Sequence, residues 1–214
     1  MSTTHLLYLH GFRSSPQSAK ARIMAALVQA RHPGVTWWCP QLPASPAQAM
    51  ALLLQGTAAW PRGQMAVMGS SLGGFYAAWL SAHLGVPAVL INPAVHPSRD
   101  LARYIGEHPV WQDPAQSIFF EPAYVQELMQ LESQPLPTWP ATLALIAKGD
   151  EVLDWREMLA RHHAGQVRLI EGSDHALSDF EDHLPQILEF LQLHEARRAE
   201  WPGGMGKSRH VRII

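Results

Sequence analysis

Cysteine is nearly absent: Cys39 is the only one in 214 residues. A single thiol excludes an intrachain disulfide framework and a cysteine-rich metal site. No apolar run approaches the roughly 18 residues a membrane-spanning helix needs, and the chain opens on no basic-then-apolar leader. The expectation is a soluble, cytoplasmic protein. Charged residues make up only 16% and sum to −2, so nothing points to nucleic acid. No basic amphipathic helix marks a membrane surface. The most uneven absence is of acid. No Asp or Glu precedes Asp100, whereas Arg13, Lys20, Arg22, Arg31, Arg62 and Arg99 all do. Any catalytic carboxylate must therefore lie at Asp100 or beyond. The mildly cationic first half is an ordinary solvated surface or an attraction for an anionic substrate group.

Apolar residues are plentiful at 47%, enough for a sizeable core in one domain over residues 1–194. Buried-strand runs alternate with helical periodicity. Strands are expected at Thr4–His10, Val35–Cys39, Met65–Gly69, Pro87–Asn92, Ala141–Ala147 and Val167–Ile170. Helices are expected from the Ser15-Pro16 and Ser45-Pro46 cap signals, over Leu72–Leu84, over Arg156–His163 and over Leu177–His194. Continuous apolar strands between helices indicate a mostly parallel sheet covered on both faces. Residues 93–140 differ. Eight prolines interleaved with aromatics suit no sheet interior. They suit a cap-like excursion over the strand ends, or a surface connection with its own small core, with one helix over Glu121–Leu131. Beyond Glu195 periodicity fades, and a flexible basic tail is expected over 195–214.

The strand at Met65 runs into Gly69-Ser70-Ser71-Leu72-Gly73, a G-x-S-x-G match. The spacing has a steric reason: strand and helix approach closely, so only small residues fit around a strained central serine. That strain lifts the Ser71 hydroxyl from the sheet, and the following helix aims its positive end and the Leu72 N–H at any oxyanion formed there. A serine needs a base, and the base needs an orienting carboxylate. In such a frame the chain order is nucleophile, acid, base. Of 12 histidines, His175 follows the last strand and precedes the last helix, in a loop at the strand ends. His162, His163, His183 and His194 fall in predicted helices and read as surface residues. Asp150, directly after a strand, is the favoured acid. Asp154 is its main competitor, and Glu151, Asp174 and Asp100 are further alternatives. Phe12, after His10-Gly11, is the candidate second oxyanion donor beside Leu72. The His10 side chain is a candidate to brace that loop.

Together, His10-Gly11-Phe12 with Ser14-Ser15-Pro16, Gly69 to Gly74, Gly149 to Asp154 and Gly172 to Ala176 resemble the YqiA-like esterases over roughly residues 5 to 193. The resemblance implies the three-layer α/β-hydrolase fold and a carboxylic ester or acyl-thioester hydrolase acting without cofactor or metal. It carries the nucleophile onto Ser71, the acid onto Asp150 and the base onto His175. The partner expected is a small-molecule ester of short to medium acyl chain. An acyl-CoA thioesterase and a non-catalytic binding protein on a hydrolase scaffold are the alternatives.

Overall fold

The computed structural model describes residues 2–193; the tail expected over 195–214, with His194, lies outside the described residues. In chain order these residues form β1 (His5–Leu9), α1 (Ala19–Arg31), β2 (Thr36–Trp38), α2 (Pro46–Gly56), β3 (Met65–Ser70), α3 (Leu72–Leu84), β4 (Ala88–Ile91), α4 (Pro97–Leu101), β5 (Gly106–Pro109), β6 (Ser117–Phe120), α5 (Pro122–Ser133), β7 (Thr142–Ala147), α6 (Trp155–His162), β8 (Gln166–Ile170) and α7 (Leu184–Phe190). Six strands make one sheet in the order β2-β1-β3-β4-β7-β8, every neighbouring pair parallel. This is the α/β-hydrolase arrangement.

Chain direction dictates the layers. The chain leaves β1 for β2 one way, then runs past β1 to β3, β4, β7 and β8 the other way. Right-handed crossovers therefore put α1 on one face and α2, α3 and α6 on the opposite face, and α7 returns to the side of α1. Strand side chains alternate to match. Leu7, Leu9, Val67, Leu90 and Ile146 pack with α2, α3 and α6. Leu6, Tyr8, Met68, Ile91 and Leu145 pack with α1 and α7. The reversal leaves a crevice beyond the C-terminal ends of β1 and β3, where parallel sheets take ligands.

Residues between β4 and β7 build α4, an antiparallel β5–β6 hairpin and α5. The hairpin was not legible as strands among so many prolines. Leu101, Phe120 and Leu128 join the main core and do not form a separate one. Two carboxylates fasten this segment by capping helix starts. Glu127 accepts hydrogen bonds from the Ser45 hydroxyl (2.7 Å) and the Ala47 N–H (3.0 Å) at the start of α2. Glu132 accepts from Ser98 N–H and Oγ, both at 2.8 Å, at the start of α4. Ser45 itself caps α2, as expected, by accepting from Gln48 N–H.

Three expectations are corrected. The first helix begins at Ala19 and not at Pro16, because Ser15 closes a turn: its Oγ accepts from Gln17 N–H and its carbonyl from Ser18 N–H. The closing helix begins at Leu184 and not at Leu177. Asp174 ties up the N–H and hydroxyl of Ser178, Leu177 stands at φ 51°, and Pro185 has no N–H to place inside a helix. A 3₁₀ turn over Phe180–His183 fills the gap. His162 is half-buried and not an open surface residue: its Nε2 is enclosed without a hydrogen-bond partner.

Replacing Glu127 by Ala leaves two helix-start donors without their carboxylate, and unfolding free energy should fall by about 1–2 kcal/mol in urea titration. Burial also holds the His162 pKa down at about 4, with Arg161 adding repulsion. The unfolded chain takes up that proton near its ordinary value of about 6.5, so stability is lost as pH falls from there toward 4. His162→Gln should lose less stability than the parent between pH 7 and pH 4.5; equal losses would refute this source of acid sensitivity.

Candidate active site

β3 and α3 meet at Ser71 with almost no room. A Cβ on Gly69 would lie 2.1 Å from the Gly73 carbonyl oxygen, and one on Gly73 would lie 2.1 Å from the Leu9 oxygen. Ser71 stands at φ 57°, ψ −121°, a conformation that costs an L residue about 1–3 kcal/mol. Its own backbone is fully used: its N–H donates to Ile91 O, and its carbonyl accepts from Gly74 N–H and Ala94 N–H. The turn holds the hydroxyl above the ends of the strands.

His175 arrives from the loop after β8. Its Nε2 lies 3.0 Å from Ser71 Oγ and its Nδ1 lies 2.8 Å from Asp150 Oδ2. The carboxylate can only accept, so Nδ1 carries the proton and Nε2 is free to accept from the serine. Asp150 is fully enclosed, with 0% of its side chain exposed. Its Oδ1 accepts from Val152 and Leu153 N–H, both at 2.8 Å. The rival acids are engaged elsewhere. Asp154 caps α6 by accepting from Arg156 N–H, Asp174 binds Ser178, and Asp100 pairs with Arg99 at 2.8 Å. Glu151 contributes differently, accepting the His175 backbone N–H at 3.0 Å. The structure thus brings together Ser71, His175 and Asp150.

The loop after β1 closes the other side. His10 donates from Nδ1 to Gly11 O (3.0 Å) and accepts the Leu42 N–H at Nε2 (3.1 Å). Both contacts fit a neutral ring, and burial lowers its pKa despite the Gly11 bond. His10 is therefore a brace. The Phe12 ring is clamped by Phe120 at 5.2 Å and Tyr104 at 5.7 Å. Arg13, at φ 57°, accepts Trp111 N–H at its carbonyl (2.8 Å) and donates from Nε to Pro109 O (3.0 Å). Its guanidinium lies 4.1 Å over the Trp111 ring. Leu72 opens α3, where the first N–H groups have no partner within the helix. A cavity of about 560 Å³ lies over Ser71 and His175, walled by Phe12, Leu72, Leu101, Tyr104 and Leu153 among others.

Residues 5–192 match the uncharacterised protein family UPF0227, the YqiA-like family. The chain belongs to that family. Solved structures share its fold at low identity. A hydrolase candidate from Agrobacterium vitis S4 is 17% identical with a TM-score of 0.71, covering 89% of this chain and 91% of that one. A structure from work on the metagenome-derived lipolytic enzymes LipS and LipT is 19% identical with a TM-score of 0.67, covering 91% and 96%. The ferulic-acid-bound Est1E from Butyrivibrio proteoclasticus is 12% identical with a TM-score of 0.66, covering 90% and 89%.

One residue of this YqiA-like site escaped the sequence reading. Asn92, wholly buried at the end of β4 with φ 40°, donates from Nδ2 to the carbonyls of Asp174 (3.0 Å) and His175 (3.1 Å). Its Oδ1 accepts the Ala147 N–H at 2.8 Å. One amide thus joins β4, β7 and the histidine loop. The available signal was an amide ending a buried apolar strand, but its partners are distant in sequence. Asn92→Asp keeps the acceptor and turns the donor into a carboxylate oxygen facing two carbonyls. Urea unfolding should register a loss of about 3 kcal/mol or more; a neutral result would remove this residue from the loop's support.

Proposed function

We propose that this protein is a serine esterase that hydrolyses carboxylic esters of small to medium acyl chains, without a cofactor, through an acyl-enzyme intermediate. The observation that carries the reading is the unbroken hydrogen-bond chain from Asp150 through His175 to Ser71 at the base of an apolar cavity. His175 Nε2 takes the Ser71 proton as Oγ attacks the ester carbonyl. Negative charge gathers on the carbonyl oxygen, and the Phe12 and Leu72 N–H groups are assigned to receive it. The imidazolium formed is met by Asp150, whose second oxygen is already fixed by two backbone donors. The C–O bond to the leaving group breaks as His175 returns the proton to that oxygen. Water then enters by the same base-assisted route and frees Ser71.

The cavity volume suits an ester of modest size, and its apolar wall supports an alkyl or aryl acyl group. Thioesters react by the same steps, so rates on matched butyrate oxoester and CoA thioester divide the two substrate classes. The decisive test is turnover of 4-nitrophenyl butyrate together with labelling by a fluorophosphonate probe. Ser71→Ala should abolish both while leaving the unfolding curve unchanged. Asp150→Asn should lower kcat by about 10⁴-fold, because the wrong imidazole tautomer is then favoured. A folded wild-type protein that neither labels nor turns over would leave a binding protein on a hydrolase scaffold.

A further inference from the structure

The wall of the cavity changes chemistry from one face of the sheet to the other. On the α3 side it is apolar, through Phe12, Leu72, Leu101, Tyr104 and Leu153. On the α1 side, behind His175, Tyr8 and Ile23 carry a polar rim of Ser14, Ser18, Lys20 and Glu181. Two groups on that side have hydrogen-bonding capacity left over. Ser18 lines the cavity, and its Oγ is buried with no hydrogen-bond partner, so nothing holds it in place and rotation about χ1 to another staggered rotamer would present it to the cavity. Lys20 Nζ donates to the carbonyl of Ala176, the residue after His175, and an ammonium has two further hydrogens to give.

We propose that this α1-side lobe is a leaving-group subsite for an alcohol bearing additional hydroxyl groups, such as glycerol or a sugar, recognised by Ser18 and Lys20. The inference rests on the esterase reading. It allots the apolar lobe to the acyl chain and the polar lobe to the departing alcohol. The allotment follows from His175, since the group that must be protonated on departure has to sit beside that ring. Lys20, tied to the neighbouring carbonyl, borders that position. A neutral polyol fits better than an anion. Lys20 lies in the field of the Asp174 carboxylate, and Glu181 lines the same lobe, so the Lys20 charge is offset there, while Arg13 is stacked on Trp111. In the acylation step the Ser71 Oγ–acyl bond forms and the acyl C–O bond breaks. The serine proton passes through His175 Nε2 to the alkoxide oxygen, and the polyol leaves neutral.

The test compares 1-butyrylglycerol with propyl butyrate on the full chain. Both give the same butyryl-Ser71, and the change in their kcat/KM ratio between wild type and variant cancels the difference in alcohol acidity, so that change reports leaving-group recognition. The wild type should favour the glyceryl ester by about 10-fold, and Ser18→Ala and Lys20→Met should each cut that preference by about 3- to 10-fold, the worth of one hydrogen bond. Lys20→Arg, which keeps a donor, should restore part of it. A wild-type ratio near one overturns the proposal. So do variants that slow both esters equally, since Lys20 would then serve only to tether Ala176. Preference for a glycerol-phosphate ester over the glyceryl ester overturns the neutral-polyol assignment. Turnover of 4-nitrophenyl butyrate without glyceryl preference defeats the subsite alone, whereas no turnover of any ester removes the esterase reading with it.

Discussion

Residue 71 occupies a backbone conformation that a serine holds only under constraint, and much of the surrounding structure is arranged to supply that constraint. Gly69 and Gly73 let strand and helix touch backbone to backbone. Ile91 and Ala94, from the next strand and its following loop, hold the peptide groups on either side. Gly11 also faces this turn: a Cβ there would lie 3.3 Å from the Ser71 Cβ. Relaxing the turn would therefore disturb the β1 loop, the β4 end and the start of α3 at once. The hydroxyl is exposed to the cavity because every alternative direction is filled.

Charge is distributed so that the second half of the chain completes the first. With no carboxylate before Asp100, α2 has no acid of its own to meet its N-terminal donors, and Glu127 reaches across from α5 to do so. Arg99 finds Glu157 on α6 at 2.7 Å, and Lys20 on α1 meets the Ala176 carbonyl. The exposed Arg99–Glu157 pair contributes little by itself. Collectively these contacts register the β4–β7 segment and the histidine loop against a frame built largely from earlier residues.

What could be read in the sequence was what depends on local spacing. The alternation of strands and helices, the elbow at Ser71 and the loop position of His175 all follow from short-range patterns. The choice of acid was less sharp: Asp150 was favoured for following a strand directly, but Glu151 and Asp154 share the same short loop region. Yet Asp154, followed three residues later by Glu157, carries a helix-start signature, and capping α6 is what it does. Pro185 likewise announced a helix start that the apolar spacing obscured. Asn92 and the burial of His162 were illegible for another reason. Each depends on groups tens of residues away, and no period or spacing encodes those partners.

Two hydrogen bonds, both through Arg13, fasten the hairpin to the loop after β1: one through its carbonyl, the other through its guanidinium. That loop also carries Phe12. The wall that shapes the cavity and the backbone proposed to receive the oxyanion are therefore one mechanical piece. Substrate range and chemical competence are consequently hard to separate in this architecture. An exchange of the 93–140 segment between relatives, by recombination or design, would remove both of these hydrogen bonds along with the wall. The segment and the loop are mechanically one unit, so a change in the anchors of one is a change in the support of the other.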